Sequence, residues 1–580
     1  MTALDDFVVN TAKNYLQSVV FVDDEIYYHQ LPLNDGQLPF GTFDGLRSQF
    51  VAEPPDDEAD LLSNEEEVAD NEPSEGSSHS VVKQNDGVKE KPPFHPRELM
   101  ESFAQYGIVC ALYEPRKGFK SDPASDLFRL CERADVVILD WDLHTDDGDG
   151  VSALLAELIK KSAADLPHHV RLCALYTDRP NLHQIMDRLL DKLAHQDCPV
   201  EVVGGKLQLI SGATRISIFG KPHTAGRPPE DKLYEVEETK LADRVISEFA
   251  SLHHGLMPAF ALHGLASVRR NTKRLMDRFH TDLDGAFLLH RALVLDDHDA
   301  FDELPDLLSD EILAVLEDTR LDSVLIDKIA SAAIDQLPIA KALREWTKKG
   351  APLDQQTIFR RLLLGGEKVL RGALEESPQK KELGDTGFRG IKAAILTDFD
   401  NMIKADDDSL AEKLAALFCN RTQYGDGCRK LSFGTVVRHK VLEGDDWDYS
   451  VCLMPICDSQ RLTNPWKFPF WRLNPDARNA NNGKRNGVVV IDPEGKTQCL
   501  AAGGKIRAML WLQEFKPGPD RNVVATQNNN VFRFVTEGMI IEWAAELKPL
   551  HAQRIAAHMG TEVSRVGLVE SEWLRLFCDR

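Results

Sequence analysis

An apolar run that stops abruptly at a carboxylate belongs in a buried strand at the rim of a crevice, and Asp135-Val136-Val137-Ile138-Leu139-Asp140 is such a run. Val, Ile and Leu without polar alternation are the pattern of a strand covered on both faces, as in a parallel sheet. Three further runs share the form. Val19-Val20-Phe21-Val22 ends in Asp23-Asp24, Leu172-Cys173-Ala174-Leu175-Tyr176 in Thr177, and Ile216-Ser217-Ile218-Phe219-Gly220 in Lys221-Pro222. Residues that terminate different strands of an open parallel sheet meet in the crevice outside the carboxyl ends, however distant they are in sequence.

Asp23, Asp24 and Asp140 then form an acidic pocket. Three crowded carboxylates are unfavourable unless a cation neutralises them or one keeps its proton. A hard, oxygen-ligated ion answers this, and Mg²⁺ fits best because it accepts a few carboxylates and keeps waters or phosphate oxygens in its other positions. Thr177 and Lys221 add a hydroxyl donor and a fixed positive charge, which suit the charge spread over a phosphoryl group in transfer. A carboxylate can itself be the nucleophile and form an acyl phosphate. Taken singly, each strand reads more readily as core closed by a capping Asp or Thr; four in succession favour the site.

These four strand ends resemble a two-component receiver domain, the response-regulator module phosphorylated on Asp, over Val19 to roughly Leu252. Asp147-Gly148 stand seven and eight residues after Asp140, where the family closes a loop, and Lys221-Pro222 matches its Lys-Pro step. The resemblance implies Asp140 as phosphoacceptor, Asp23, Asp24 and the backbone carbonyl of Asp142 as further Mg²⁺ ligands, Thr177 as switch hydroxyl and Lys221 as phosphoryl-binding ammonium. It also implies a cis peptide at Lys221-Pro222 and a histidine kinase as phosphodonor. The chain departs from the family in having Leu143-His144 for the usual Met-Pro. Its loop is acidic, with Asp146, Asp147 and Asp149, and Ile218 stands where the rotating aromatic is usual, with Phe219 one step out of register.

At 580 residues the chain exceeds one core. The expected layout is multidomain. A doubly wound, flavodoxin-like α/β receiver spans 1–252, with an acidic disordered insertion at 51–95 and a hairpin insertion at 199–214. An all-α domain at 253–420 follows, then a small β-rich α+β domain at 421–580 with carboxyl-terminal helices. The insertion rests on Glu53-Pro54-Pro55-Asp56-Asp57-Glu58 and Glu65-Glu66-Glu67, which bury too little apolar surface to offset ordering. Helices are expected over 5–17, 125–133, 151–161, 182–193 and 230–252. Apolar spacing such as Ile312 with Leu316 and Ile358 with Leu362 carries the helical region.

A net charge of −25 argues against broad binding to phosphate backbones. No apolar run is long enough to cross a membrane and the start lacks a signal peptide, so the expectation is a cytoplasmic protein without nucleic-acid or membrane partners. The ten cysteines show no zinc spacing and read as reduced, mostly buried thiols. Paired strands at 433–437 and 449–454, with a further one at Gly487–Ile491, suggest a barrel-like unit. Cys457-Asp458 reads as a buried thiol beside a turn rather than a nucleophile. Ile555 to Val569 has the outline of a helix-turn-helix, but Gly567 falls where a recognition helix should run.

The functional expectation is a phosphoacceptor that takes a phosphoryl group from a histidine kinase onto Asp140 with Mg²⁺, with no enzymatic activity beyond its own phosphorylation and dephosphorylation. The whole resembles receiver proteins of bacterial anti-phage defence, among them the phosphate-accepting auxiliary protein of the Detocs two-component system. That implies a phosphate sink or regulator acting beside a second, receiver-linked effector. The alternative is a carboxyl half that is a hydrolase or nuclease switched on by phosphorylation.

Overall fold

The computed structural model describes residues 2–26, 95–165, 170–294, 299–337, 363–366, 368, 410–424, 429–442, 444, 446–475, 487–502, 509–528 and 531–564. Of the expected acidic insertion at 51–95, all but its last residue, His95, lies outside them, as do Ile358 and Leu362.

The chain divides into two compact units, Met1–Arg278 with Asp310–Ala332, and Phe279–Ser309 with Ala333–Arg580. The first holds helix α1 (Ala3–Tyr15), β1 (Ser18–Val22), α2 (Pro96–Ala104), β2 (Val109–Tyr113), α3 (Asp126–Arg133) and β3 (Val136–Leu139). It continues with α4 (Asp149–Asp165), β4 (Arg171–Thr177), α5 (Leu182–His195), β5 (Glu201–Val202), β6 (Gln208–Ser211), β7 (Thr214–Gly220), α6 (Glu238–Leu252) and α7 (Leu256–Arg270). The sheet order is β2-β1-β3-β4-β7-β6-β5. The first five are parallel, with Val22 opposite Leu139, Leu139 opposite Leu175 and Leu175 opposite Ile218. The expected hairpin, β5–β6, is antiparallel and extends the β7 edge.

Both faces of this sheet are covered, which is why its strands are apolar throughout. Val20, Val22, Val137, Leu139, Leu175 and Ile218 pack with residues of α3, α4 and α5. On the other side α1, α2 and α6 pack together, and the rings of Phe21 and Tyr176 meet at 6.3 Å. At the amino end of β3, buried Asp135 accepts hydrogen bonds from Gln17 N (2.8 Å), Ser18 N (3.2 Å) and Arg269 Nη1 of α7 (3.2 Å). Phe7 of α1 and Phe260 of α7 lie 5.3 Å apart, centroid to centroid.

Two expectations need correction in this unit. Among the described residues no peptide bond is cis, so Lys221-Pro222 is trans. The helix expected from Glu230 begins at Glu238: Val236 N donates to Gly220 O at 3.0 Å, which holds the chain extended after a 3₁₀ turn at Asp231–Tyr234.

In the second unit β8 (Thr435–Val441), β9 (Asp448–Cys452), β10 (Trp466–Leu473), β13 (Leu510–Phe515), β14 (Thr526–Asn528), β15 (Val531–Phe534) and β16 (Met539–Glu546) form one antiparallel sheet. Its order is β13-β10-β9-β8-β16-β15-β14, and β11 (Gly487–Ile491) pairs with β12 (Thr497–Ala501). Among the described residues β13 and β14 are the two ends of an open sheet, where the sequence pattern suggests a barrel. One face packs Val436, Val451 and Trp471 against Val488, Val490, Leu500, Ala552 and Ile555. The other packs Val437, Phe468, Phe470, Phe515 and Ile541. Cys457 is exposed on the short helical turn Ile456–Ser459, which corrects the expected buried thiol. The helix Pro549–Ser564 covers the start of the helix-turn-helix outline, and Gly567 lies outside the described residues.

Candidate phosphoryl and metal site

The strand order reverses between β1 and β3, and Asp23 and Asp140 are the first residues past those two strands. Each keeps a ladder bond: Asp23 N donates to Tyr113 O at 3.3 Å and Asp140 N to Val22 O at 2.8 Å. Thr177 ends β4, and Lys221 follows β7 with its N–H donating to Thr177 O at 2.7 Å. The sheet thus brings all four strand ends to one rim.

Lys221 Nζ donates to Asp23 Oδ2 at 2.7 Å and to Asp140 Oδ2 at 2.9 Å. Asp23 and Asp140 are buried, and ligand oxygens of Asp23, Asp24 and Asp140 all lie within 4.8 Å of one another. Burial pushes the Asp140 carboxyl up to about 6, with Lys221 opposing and Asp23 reinforcing the rise. Burial works against the charge on Lys221, but Asp140 and Asp23 outweigh it and hold the ammonium above the usual lysine range.

The donor set fits a hard cation. Asp23 Oδ1 accepts from Glu25 N at 2.8 Å and Asp24 Oδ2 from His144 N at 2.8 Å, whereas buried Asp140 Oδ1 has no hydrogen-bond partner. An orphaned carboxylate oxygen beside two other carboxylates is the environment that Mg²⁺ relieves.

Asp142 lies two residues past Asp140, its carboxylate paired with Arg179 and accepting from Asp147 N at 3.0 Å. The acidic loop is bound to α5 as well: Arg188 Nη1 meets Asp147 at 2.6 Å and Lys192 pairs with Asp149. His144 has φ 55°, a backbone that proline cannot adopt, so the absence of the family's proline follows from the loop's path. Thr177 is buried, and its Oγ1 accepts from Arg179 N at 3.2 Å. Ile218 and Phe219 are both buried, with Arg244 Cζ 5.3 Å from the Phe219 ring. Sequence reasoning missed the contacts of His144 and Arg179; the departure at Leu143-His144 is a signal for His144 alone.

An open doubly wound sheet with an acidic cluster at its switch point defines the class. Residues 15–226 match the family model of the response receiver domain. A receiver domain implies a response-regulator-like phosphoacceptor. No curated protein and no solved structure matches the chain. No helix among the described residues is long and apolar enough to cross a membrane.

Proposed function

We propose that Asp140 accepts a phosphoryl group from a histidine kinase. One oxygen of Asp140 forms the new O–P bond as the P–N bond of the donor phosphohistidine breaks, its electron pair returning to the imidazole nitrogen. The product is an acyl phosphate. Lys221 and Thr177 stabilise the phosphoryl oxygens by charge and hydroxyl donation. Asp23, Asp24, Asp140 and the carbonyl of Asp142 would hold Mg²⁺, which when bound neutralises charge on the phosphoryl oxygens. The observation that carries this reading is Lys221 Nζ bridging Asp23 and Asp140 while Asp140 Oδ1 stays without a partner.

The added charge, about −2, biases whatever equilibrium contacts it. Buried Ile218 and Phe219 provide no exposed aromatic at the usual output position, which supports a phosphate sink or regulator. The architecture supports a place beside a receiver-linked effector in anti-phage signalling. Phosphotransfer from a histidine kinase to wild type and Asp140→Asn tests the reading: label on the wild type alone supports it, and equal label on both overturns it.

A further inference from the structure

Arg227 is 5% exposed, and the phosphoacceptor chemistry gives it no role. Its Nη2 donates to Thr177 O at 3.3 Å, to Lys221 O at 3.2 Å and to Thr224 Oγ1 at 2.9 Å, and its Nε lies 2.9 Å from Glu235 Oε1. The chain makes room for it: a Cβ on Gly220 would come within 1.8 Å of Arg227 Nη1. The same segment grips the other side of the crevice. Buried Asp231 accepts from Leu182 N at 2.7 Å and pairs with His183, at the start of the helix that follows Thr177.

Lys221 N to Thr177 O is the last ladder bond between β4 and β7. Beyond it, the relative position of the hydroxyl and the ammonium depends on what holds the two backbones. One nitrogen, Nη2, reaches both carbonyls, and the rigid planar guanidinium, with its Nε edge against Glu235, holds that nitrogen in place where a flexible lysine stem would not. Burying that charge is costly, and Glu235 offsets part of the cost.

We propose that Arg227 is a positioning residue for phosphoryl transfer, holding Thr177 and Lys221 in register through their carbonyls. This rests on the phosphoacceptor reading. Arg227 has no contact with the Asp23, Asp24 and Asp140 carboxylates among its hydrogen bonds, so its loss separates phosphoryl transfer from cation binding.

The test uses the full chain with acetyl phosphate as donor, with labelling rate followed by intact mass and Mg²⁺ affinity by calorimetry. Arg227→Met, Arg227→Lys and Gly220→Ala, the last displacing the guanidinium sterically, each lower the labelling rate ~10-fold or more and leave Mg²⁺ affinity unchanged. If Arg227→Met fails to fold, the other two read the same split. Labelling at the wild-type rate, parallel loss of labelling and Mg²⁺ affinity, or loss of folding in all three overturns the assignment. A wild type that takes no label overturns the phosphoacceptor reading instead.

Discussion

Lys221 Nζ lies 2.9 Å from Asp140 Oδ2, though 81 residues separate them. The ammonium opposes the upward push of burial on Asp140, keeping a nucleophilic carboxylate accessible near neutral pH. Lys221→Ala removes that charge, and labelling of Asp140 falls by on the order of 10²-fold. Mg²⁺ binding does not weaken, because the remaining carboxylates lose a competitor. Labelling rate and calorimetric affinity, measured together, check both halves; an unchanged rate would contradict the role.

Gly148 has φ 79°, and a Cβ there would fall 2.3 Å from the Trp141 ring. Gly148→Ala therefore meets backbone strain and overpacking at once, and costs about 2–4 kcal/mol in denaturant unfolding. Wild-type stability would show that the loop yields freely.

Two ionic substitutions should differ in size. Asp135 is buried and accepts from two backbone N–H groups and Arg269, so Asp135→Ala costs about 3 kcal/mol. Arg188 and Asp147 are solvent-exposed, and Arg188→Ala costs less than about 1 kcal/mol. Urea midpoints for the two variants decide it.

Burial raises the Glu546 carboxyl to about 7, against its hydrogen bond from Thr435 and the charge of Arg421. A raised carboxyl favours the protonated fold: its stability is full below the ordinary value of 4.5 and is lost as pH rises through about 7. Glu546→Gln keeps an acceptor for Thr435 without the charge. The variant is more stable than wild type by on the order of 2 kcal/mol at about pH 8, and the difference vanishes at about pH 4. Denaturation at both pH values measures it.

The receiver strands are legible because burial on both faces writes them as unbroken apolar runs, and a carboxylate, hydroxyl or ammonium at each end marks the rim. Asp23, Asp140, Thr177 and Lys221 follow from that pattern. Arg227 leaves no such mark: its partners include main-chain carbonyls, which carry no residue identity, and it sits in the nonperiodic stretch Gly226-Arg227-Pro228-Pro229. The late start of α6 is hidden for a related reason, since it depends on Val236 bonding back to Gly220. The open sheet of the second unit follows from strand order, which alternation alone does not encode.

The most direct measurement is the site of Mg²⁺-dependent phosphorylation, read by borohydride reduction, which converts aspartyl phosphate to homoserine, followed by peptide mass mapping. Homoserine is expected at position 140, dependent on Mg²⁺ and lost in Asp140→Asn. A label on another residue, or none from a competent phosphodonor, would contradict it.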